Sequence, residues 1–250
     1  MTGPDGFTVF GHDARTARWA EAALGPARSV AGDPALRGPE GLRHGKTWFV
    51  GIDALPNAAD GSIAGAPLTG PWQPHVPILP LHHAQLSIIH AGYPKQDKGE
   101  SDANHRYRRI RAAAHVDGLL PVGPARRRFA REYHAYILSV PLGDLRASPT
   151  VVWRGSQRIM QRALREAIGA RDPAQVDITD AYTAARREVF ETCEQVPLHI
   201  IRGQSALLHP FVLHGTAPWD DSRDPAGEGR MIAFFRPECV GGAQQWLALP

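Results

Sequence analysis

The chain has little of what would mark several common classes. Two cysteines occur in 250 residues, Cys193 and Cys239, far apart and in no CxxC or CxH spacing. Neither a disulfide framework nor a thiolate metal site is expected from them. No apolar run approaches the roughly eighteen residues that a membrane helix needs, and Met1 to Gly11 carry no basic-then-apolar leader pattern. A soluble, cytoplasmic protein without membrane contact is the expectation. An excess of one charge is also missing. The 28 Lys+Arg are scattered among 25 Asp+Glu for a formal net charge of +3, which argues against a nucleic-acid or membrane surface. Internal repeats and low-complexity tracts are absent. The 43% hydrophobic content suffices for one core, so a single domain over residues 1–250 is expected, a monomer or homodimer whose partner is a small molecule.

Punctuation by Gly, Pro and Asp organises the chain. His12 to Gly25 reads as a helix capped by Asp13, with Gly25 as its terminator before Pro26. Pro26 to about Gly70 reads as loop around one strand at Thr47 to Gly51. Short apolar runs then recur at Gln85–His90, Arg109–His115, Tyr136–Pro141 and Thr150–Trp153. Two helices follow. Ser156 heads one over Gln157 to Ala167, with Ile159, Met160, Ala163, Leu164 and Ile168 in one stripe; Thr179 or Asp180 heads the other, over Ala181 to Thr192. Strand-like runs return at Pro197–Arg202, Ala206–His214 and Arg230–Arg236. Strands before, between and after helices predict a mainly β fold, a barrel or jelly roll buttressed by helices.

Three elements carry chemistry. His115 and Asp117 are two apart, which in an extended chain aims both at one face. His214 closes an apolar run directly before Gly215, and a polar side chain there needs a partner. Two imidazoles and a carboxylate suit Fe(II), leaving positions open for a chelating co-substrate and O₂. Arg230 opens the next strand after a loop rich in Asp, Gly and Pro. If that strand is the hairpin partner of the one ending at His214, its guanidinium can hold a carboxylate through paired hydrogen bonds. Arg236 shares its face but lies about 20 Å further along an extended strand, so Arg230 is the preferred anchor and Arg223 a minor rival.

These residues resemble the phytanoyl-CoA dioxygenase-like branch of the 2-oxoglutarate- and Fe(II)-dependent oxygenases over about Ala112 to Pro237. The marks are His115-Val116-Asp117-Gly118, Tyr136–Pro141 running into Leu142-Gly143-Asp144, Val151 to Gln157, His214-Gly215 and Arg230. The resemblance implies a double-stranded β-helix, cupin-like, spanning about residues 76–240 behind an N-terminal buttress of helix and loop. It also implies iron held by His115, Asp117 and His214, 2-oxoglutarate held by Arg230, and a hydroxylase that releases succinate and CO₂. Tyr136 and Ser139 are further candidates for a hydrogen bond to the co-substrate. Two departures are Gln157, where such proteins often carry His, and the long step from His214 to Arg230. Asp117 disfavours halogenation.

Other features read as ordinary. His75, His82, His83 and His90 form no expected second metal site, although Gln85 or His90 suits a cavity wall. The basic runs at His105–Arg111 and Arg126–Arg128 read as solvated faces, and Trp72, Trp153 and Trp219 as core with an apolar substrate wall as the alternative. The rival functions are a cupin-like metal hydrolase or isomerase and a non-catalytic small-molecule-binding barrel. The first gives Arg230 no task, and the second does not need all four polar residues.

Overall fold

Strands rich in Ile, Val, Leu and Phe need one buried face each. In the computed structural model, which describes residues 2–224 and 227–250, they find it between two sheets. In chain order the elements are β1 (Phe7–Phe10), α1 (Ala14–Gly32), β2 (Leu42–Arg43), β3 (Trp48–Leu55), β4 (Ala84–Ile89), α2 (Asp102–Arg111), β5 (Leu119–Val122), β6 (Arg127–Ala130), β7 (Ile137–Pro141), β8 (Thr150–Trp153), α3 (Ser156–Ile168), α4 (Thr179–Thr192), β9 (Gln195–Leu198), β10 (Ser205–Leu208), β11 (His214–Thr216), β12 (Arg230–Phe235) and α5 (Gly242–Leu247). A seven-stranded antiparallel sheet runs β1-β10-β7-β12-β4-β3-β2, a three-stranded sheet runs β11-β8-β9, and β5 with β6 forms a separate hairpin.

Ile137, Ala206 and Leu208 of the large sheet pack against Val152 and Leu198 of the small one, with Phe7 and Phe234 alongside. This is the jelly-roll interior. The other face of the large sheet buries Leu138, Val140, Leu207 and Phe235 in a cluster with Trp19, Ala20, Ala23 and Ala27 of α1. Trp19 meets Phe235 edge-on at 5.4 Å and donates from Nε1 to the Gly61 carbonyl at 2.8 Å. Met160, Leu164 and Ile168 of α3 and Tyr182 and Val189 of α4 are buried in the same cluster as Trp153 of β8, which stacks edge-on against Phe190. The expected α3 stripe is therefore its core face.

Five expectations change. Asp13 does cap α1, accepting from the amides of Arg15 and Thr16, but the helix runs through Gly25 and Pro26 to Gly32. Burial of Ala23 and Ala27 on either side of Pro26 outweighs the one hydrogen bond that proline removes. The run Arg109–His115 is not a strand. Ser101 caps α2 through the Asn104 amide at 3.3 Å, and the helix reaches Arg111 before Ala112 and Ala113, both at positive φ, turn the chain. The apolar run Ala206–His214 splits into β10 in one sheet and β11 in the other, and Pro197–Arg202 is replaced by β9 a little earlier. Residues 1–75 are more than a buttress, because β1, β2 and β3 are strands of the large sheet.

Candidate metal centre

The two left-handed residues after α2 bring His115 alongside β11. His115 and His214 exchange both backbone hydrogen bonds, at 2.8 and 3.1 Å, as a single antiparallel bridge. Their rings consequently lie side by side with centroids 4.8 Å apart. His214 is fixed further by its predecessor. The Leu213 amide donates to Ser156 Oγ at 2.9 Å and its carbonyl accepts from Trp153. Ser156 was expected to cap α3, yet it spends its oxygen here, and Gly155 occupies the cap position instead.

Asp117 turns back toward both rings, with Oδ1 3.2 Å from His115 Nε2 and Oδ2 3.6 Å from His214 Nε2. The three donor atoms lie within 4.8 Å of one another. Each imidazole spends Nδ1 on a carbonyl, His115 on Ala113 at 3.0 Å and His214 on Val212 at 2.9 Å. A proton held on Nδ1 leaves the Nε2 lone pair free for a cation, and the carbonyl fixes the ring's rotation. Burial pushes the Asp117 carboxyl up, but the His214 imidazole, the Arg236 guanidinium and the hydrogen bonds from both histidines hold it well below the usual carboxylate range. Burial pushes His214 down, and Asp117 more than offsets this, leaving it raised. The donor set is thus one carboxylate and two imidazoles, with His115 partly open to solvent, Asp117 largely buried and His214 buried. That is the chemistry of a divalent first-row metal with free coordination positions.

Two glycines make the approach possible. A Cβ on Gly215 would sit 2.1 Å from the Ala112 carbonyl oxygen, and one on Gly118, whose φ is +77°, would sit 2.3 Å from the Glu132 carbonyl oxygen. The glycine after each ligand motif is therefore a steric requirement.

A cavity of about 170 Å³ opens on the three residues, walled by Trp48, Tyr93, Thr150, Ser87, Phe234 and Arg236, among others. Arg236, expected to lie too far along the strand to reach the centre, has its Nη1 3.3 Å from Asp117 Oδ2. The metal centre lies at the Arg236 end of β12. Arg230 does not line this cavity. It shares the inward face of Ile232 and Phe234 and is 4% exposed, and its Nε and Nη2 meet no hydrogen-bond partner among the described residues. Burial alone lowers its pKa to about 9. Nor are β11 and β12 hairpin partners, since they belong to different sheets.

Ser139 pairs across the ladder with Phe234 and so faces the interior, where its Oγ also lacks a partner, as does Thr150 Oγ1. Tyr136 instead is buried in the helix-facing core, where burial pushes its phenol up to about 12. Gln157 is far from this chemistry, donating to the Pro4 carbonyl at 3.0 Å. Arg223 is paired with Asp220 on the surface. Trp72, Trp153 and Trp219 are absent from the cavity wall, and Trp48, which sequence reasoning left unremarked, supplies it. Gln85 lines it as expected and His90 does not. His82 and His83 line a second depression beside it with His134 and Glu132. Among the described residues the only group of three with metal-holding geometry is His115, Asp117 and His214.

No family model matches the chain, and no curated protein matches it by sequence. Solved structures do. The non-haem α-ketoglutarate-dependent carbocyclase SnoK from nogalamycin biosynthesis superposes with a TM-score of 0.50 at 13% identity, over 97% of this chain and 85% of its own. EctD from S. alaskensis, solved with 2-oxoglutarate and 5-hydroxyectoine, gives a TM-score of 0.47 at 16% identity, over 96% of this chain and 74% of its own. The fold is shared with SnoK. At this identity the likeness speaks for the β-helix and not for the chemistry.

Proposed function

We propose that the chain is a 2-oxoglutarate- and Fe(II)-dependent oxygenase of the phytanoyl-CoA dioxygenase-like branch, hydroxylating a small molecule with release of succinate and CO₂. The observation that carries this reading is the two-His, one-carboxylate centre opening on a cavity, and a buried arginine without an anion is a second mark beside it. A metal-binding barrel with hydrolase chemistry has a use for the first and none for the second. An unpaired buried cation is costly, and a site that binds a dicarboxylate accounts for it. The fold shared with SnoK supports the scaffold of this reading, a double-stranded β-helix.

In this account His115, Asp117 and His214 hold iron through the two Nε2 atoms and one carboxylate oxygen. Arg230 is the candidate for the distal carboxylate of the 2-oxo acid, through two parallel hydrogen bonds, from its buried place at the end of β12 away from Arg236. The unpartnered hydroxyls of Ser139 and Thr150 are donors for the same molecule. Trp48 and Phe234 give the cavity an apolar wall. Iron, when bound, supplies the O₂-dependent redox chemistry that splits the 2-oxo acid and oxidises the substrate.

Purified, Fe(II)-loaded protein is expected to convert 2-oxoglutarate to succinate, slowly alone and faster with a true substrate in a panel of small molecules. Arg230→Ala should lose this through a raised KM for 2-oxoglutarate. Absence of succinate with every candidate, from protein that retains iron, would favour the hydrolase or binding-barrel readings.

A further inference from the structure

Arg236 follows directly on β12 and reaches two residues that are far apart in the chain. Nη1 donates to Asp117 Oδ2 at 3.3 Å and Nη2 donates to Gln85 Oε1 at 2.5 Å. Gln85 stands on β4, paired across the ladder with Phe234. A guanidinium only donates, so Gln85 must present its oxygen to it, and that fixes the planar fork from its far side. Asp117 then has two unlike oxygens: Oδ1 faces His115, and Oδ2 is shared between His214 and the fork. Both side chains are largely buried, at 20% and 11% exposure, so the contact escapes most solvent screening.

A carboxylate free to swing can chelate a cation with both oxygens and occupy a coordination position that a co-substrate needs. One oxygen held by a rigid donor prevents this, and such outer partners commonly contribute 10–100-fold to metal affinity. We propose that Arg236 is a positioning residue that keeps Asp117 a one-oxygen metal ligand, and that Gln85 acts on the metal only through Arg236. This rests on the metal-centre reading given above, and no notable part of it needs the co-substrate.

Calorimetric titration of the full chain with Ni(II) tests it without turnover. The expected outcome is that Arg236→Met weakens Ni(II) binding by about 10–100-fold, that Arg236→Lys recovers part of the loss through a single remaining donor, and that Gln85→Leu weakens it less. The double variant Gln85→Leu with Arg236→Met should bind like Arg236→Met alone, because a residue that acts only through another adds nothing once that one is gone. In the Co(II)-loaded protein, Arg236→Met should also change the visible bands as the coordination number changes, and Arg236→Lys should keep them. Circular dichroism establishes that each variant is folded; if Arg236→Met is not, Arg236→Lys and Gln85→Leu carry the test by their reduced affinity. Wild-type affinity retained within about twofold in Arg236→Met, or independent losses in the double variant, would overturn the inference and leave the metal centre standing. Failure of the wild-type protein to bind Ni(II) would bring down the metal centre itself and this inference with it.

Discussion

The Cα of Gly215 lies so close to the Ala112 carbonyl that a Cβ there would come within 2.1 Å of the oxygen. That carbonyl is not free to move, because it accepts the Thr216 amide at 3.0 Å and ends the turn that delivers His115. Gly215→Ala should therefore pry the His115–His214 bridge apart. The expected cost is about 1–3 kcal/mol in urea denaturation, with weakened divalent-metal binding. Gly143→Ala, where nothing lies within 4 Å of the added atom, serves as the control and should stay within about 0.5 kcal/mol. Equal behaviour of the two variants would contradict this geometry.

Arg230 should trade stability for binding. Its guanidinium is buried without a hydrogen-bond partner on Nε or Nη2 among the described residues, so replacing it with an apolar side chain of similar length removes an uncompensated cost. Arg230→Met is expected to gain about 1 kcal/mol, a rise in Tm of roughly 2–4 °C for a chain of this size. The same variant should lose the stabilisation that 2-oxoglutarate gives the metal-loaded wild type. A lower Tm for Arg230→Met would mean that the arginine is a structural residue and not an anion site in waiting.

Pro26 interrupts the hydrogen bonding of α1, which continues past it. A proline inside a helix costs about 3 kcal/mol, and part of that is offset by the stiffness it lends the unfolded chain. Pro26→Ala should thus stabilise the protein by about 1–2 kcal/mol, read as a higher urea midpoint with an unchanged slope. No gain would show that the helix already relieves the strain by bending.

Stability should fall in mildly acidic solution. Burial lowers both His44 and His209 from 6.5 to about 4. His209 also accepts the Phe211 amide on Nδ1 at 3.2 Å, which only the neutral ring can do. The unfolded chain takes up protons at these sites before the folded one does. Their contribution is complete above about pH 6.5, declines as the pH drops toward 4 and is flat below that. His209→Gln, which cannot titrate, should remove about one proton from the uptake on unfolding in that window. An unaltered pH slope in this variant would assign the effect elsewhere.

The sequence was legible where a local pattern and its burial coincide. Thr150–Trp153 matches β8, and the stripe Met160, Leu164, Ile168 is the buried face of α3. The candidate ligands His115, Asp117 and His214 do converge, because i and i+2 alternation and a polar side chain at the edge of an apolar run are local signals. What failed was non-local. Ile110 and Ala112 to Ala114 look like strand residues, yet Ile110 is exposed on a capped helix. Sheet membership is not written in a run of apolar letters, so β11 and β12 were joined as a hairpin when the fold separates them. Arg236 was missed for the same reason, since its neighbours Asp117 and Gln85 come from distant segments.

In the proposed function the His115–Asp117–His214 centre chelates 2-oxoglutarate, with Arg230 as the candidate for its distal carboxylate. Anaerobic titration of the Fe(II)-loaded protein with 2-oxoglutarate tests it most directly, by the weak visible charge-transfer band of a chelated 2-oxo acid. A saturable band is expected in the wild type, needing far more 2-oxoglutarate in Arg230→Ala and lost in His214→Ala. No band in iron-loaded wild-type protein, or a band equally saturable in Arg230→Ala, would contradict it.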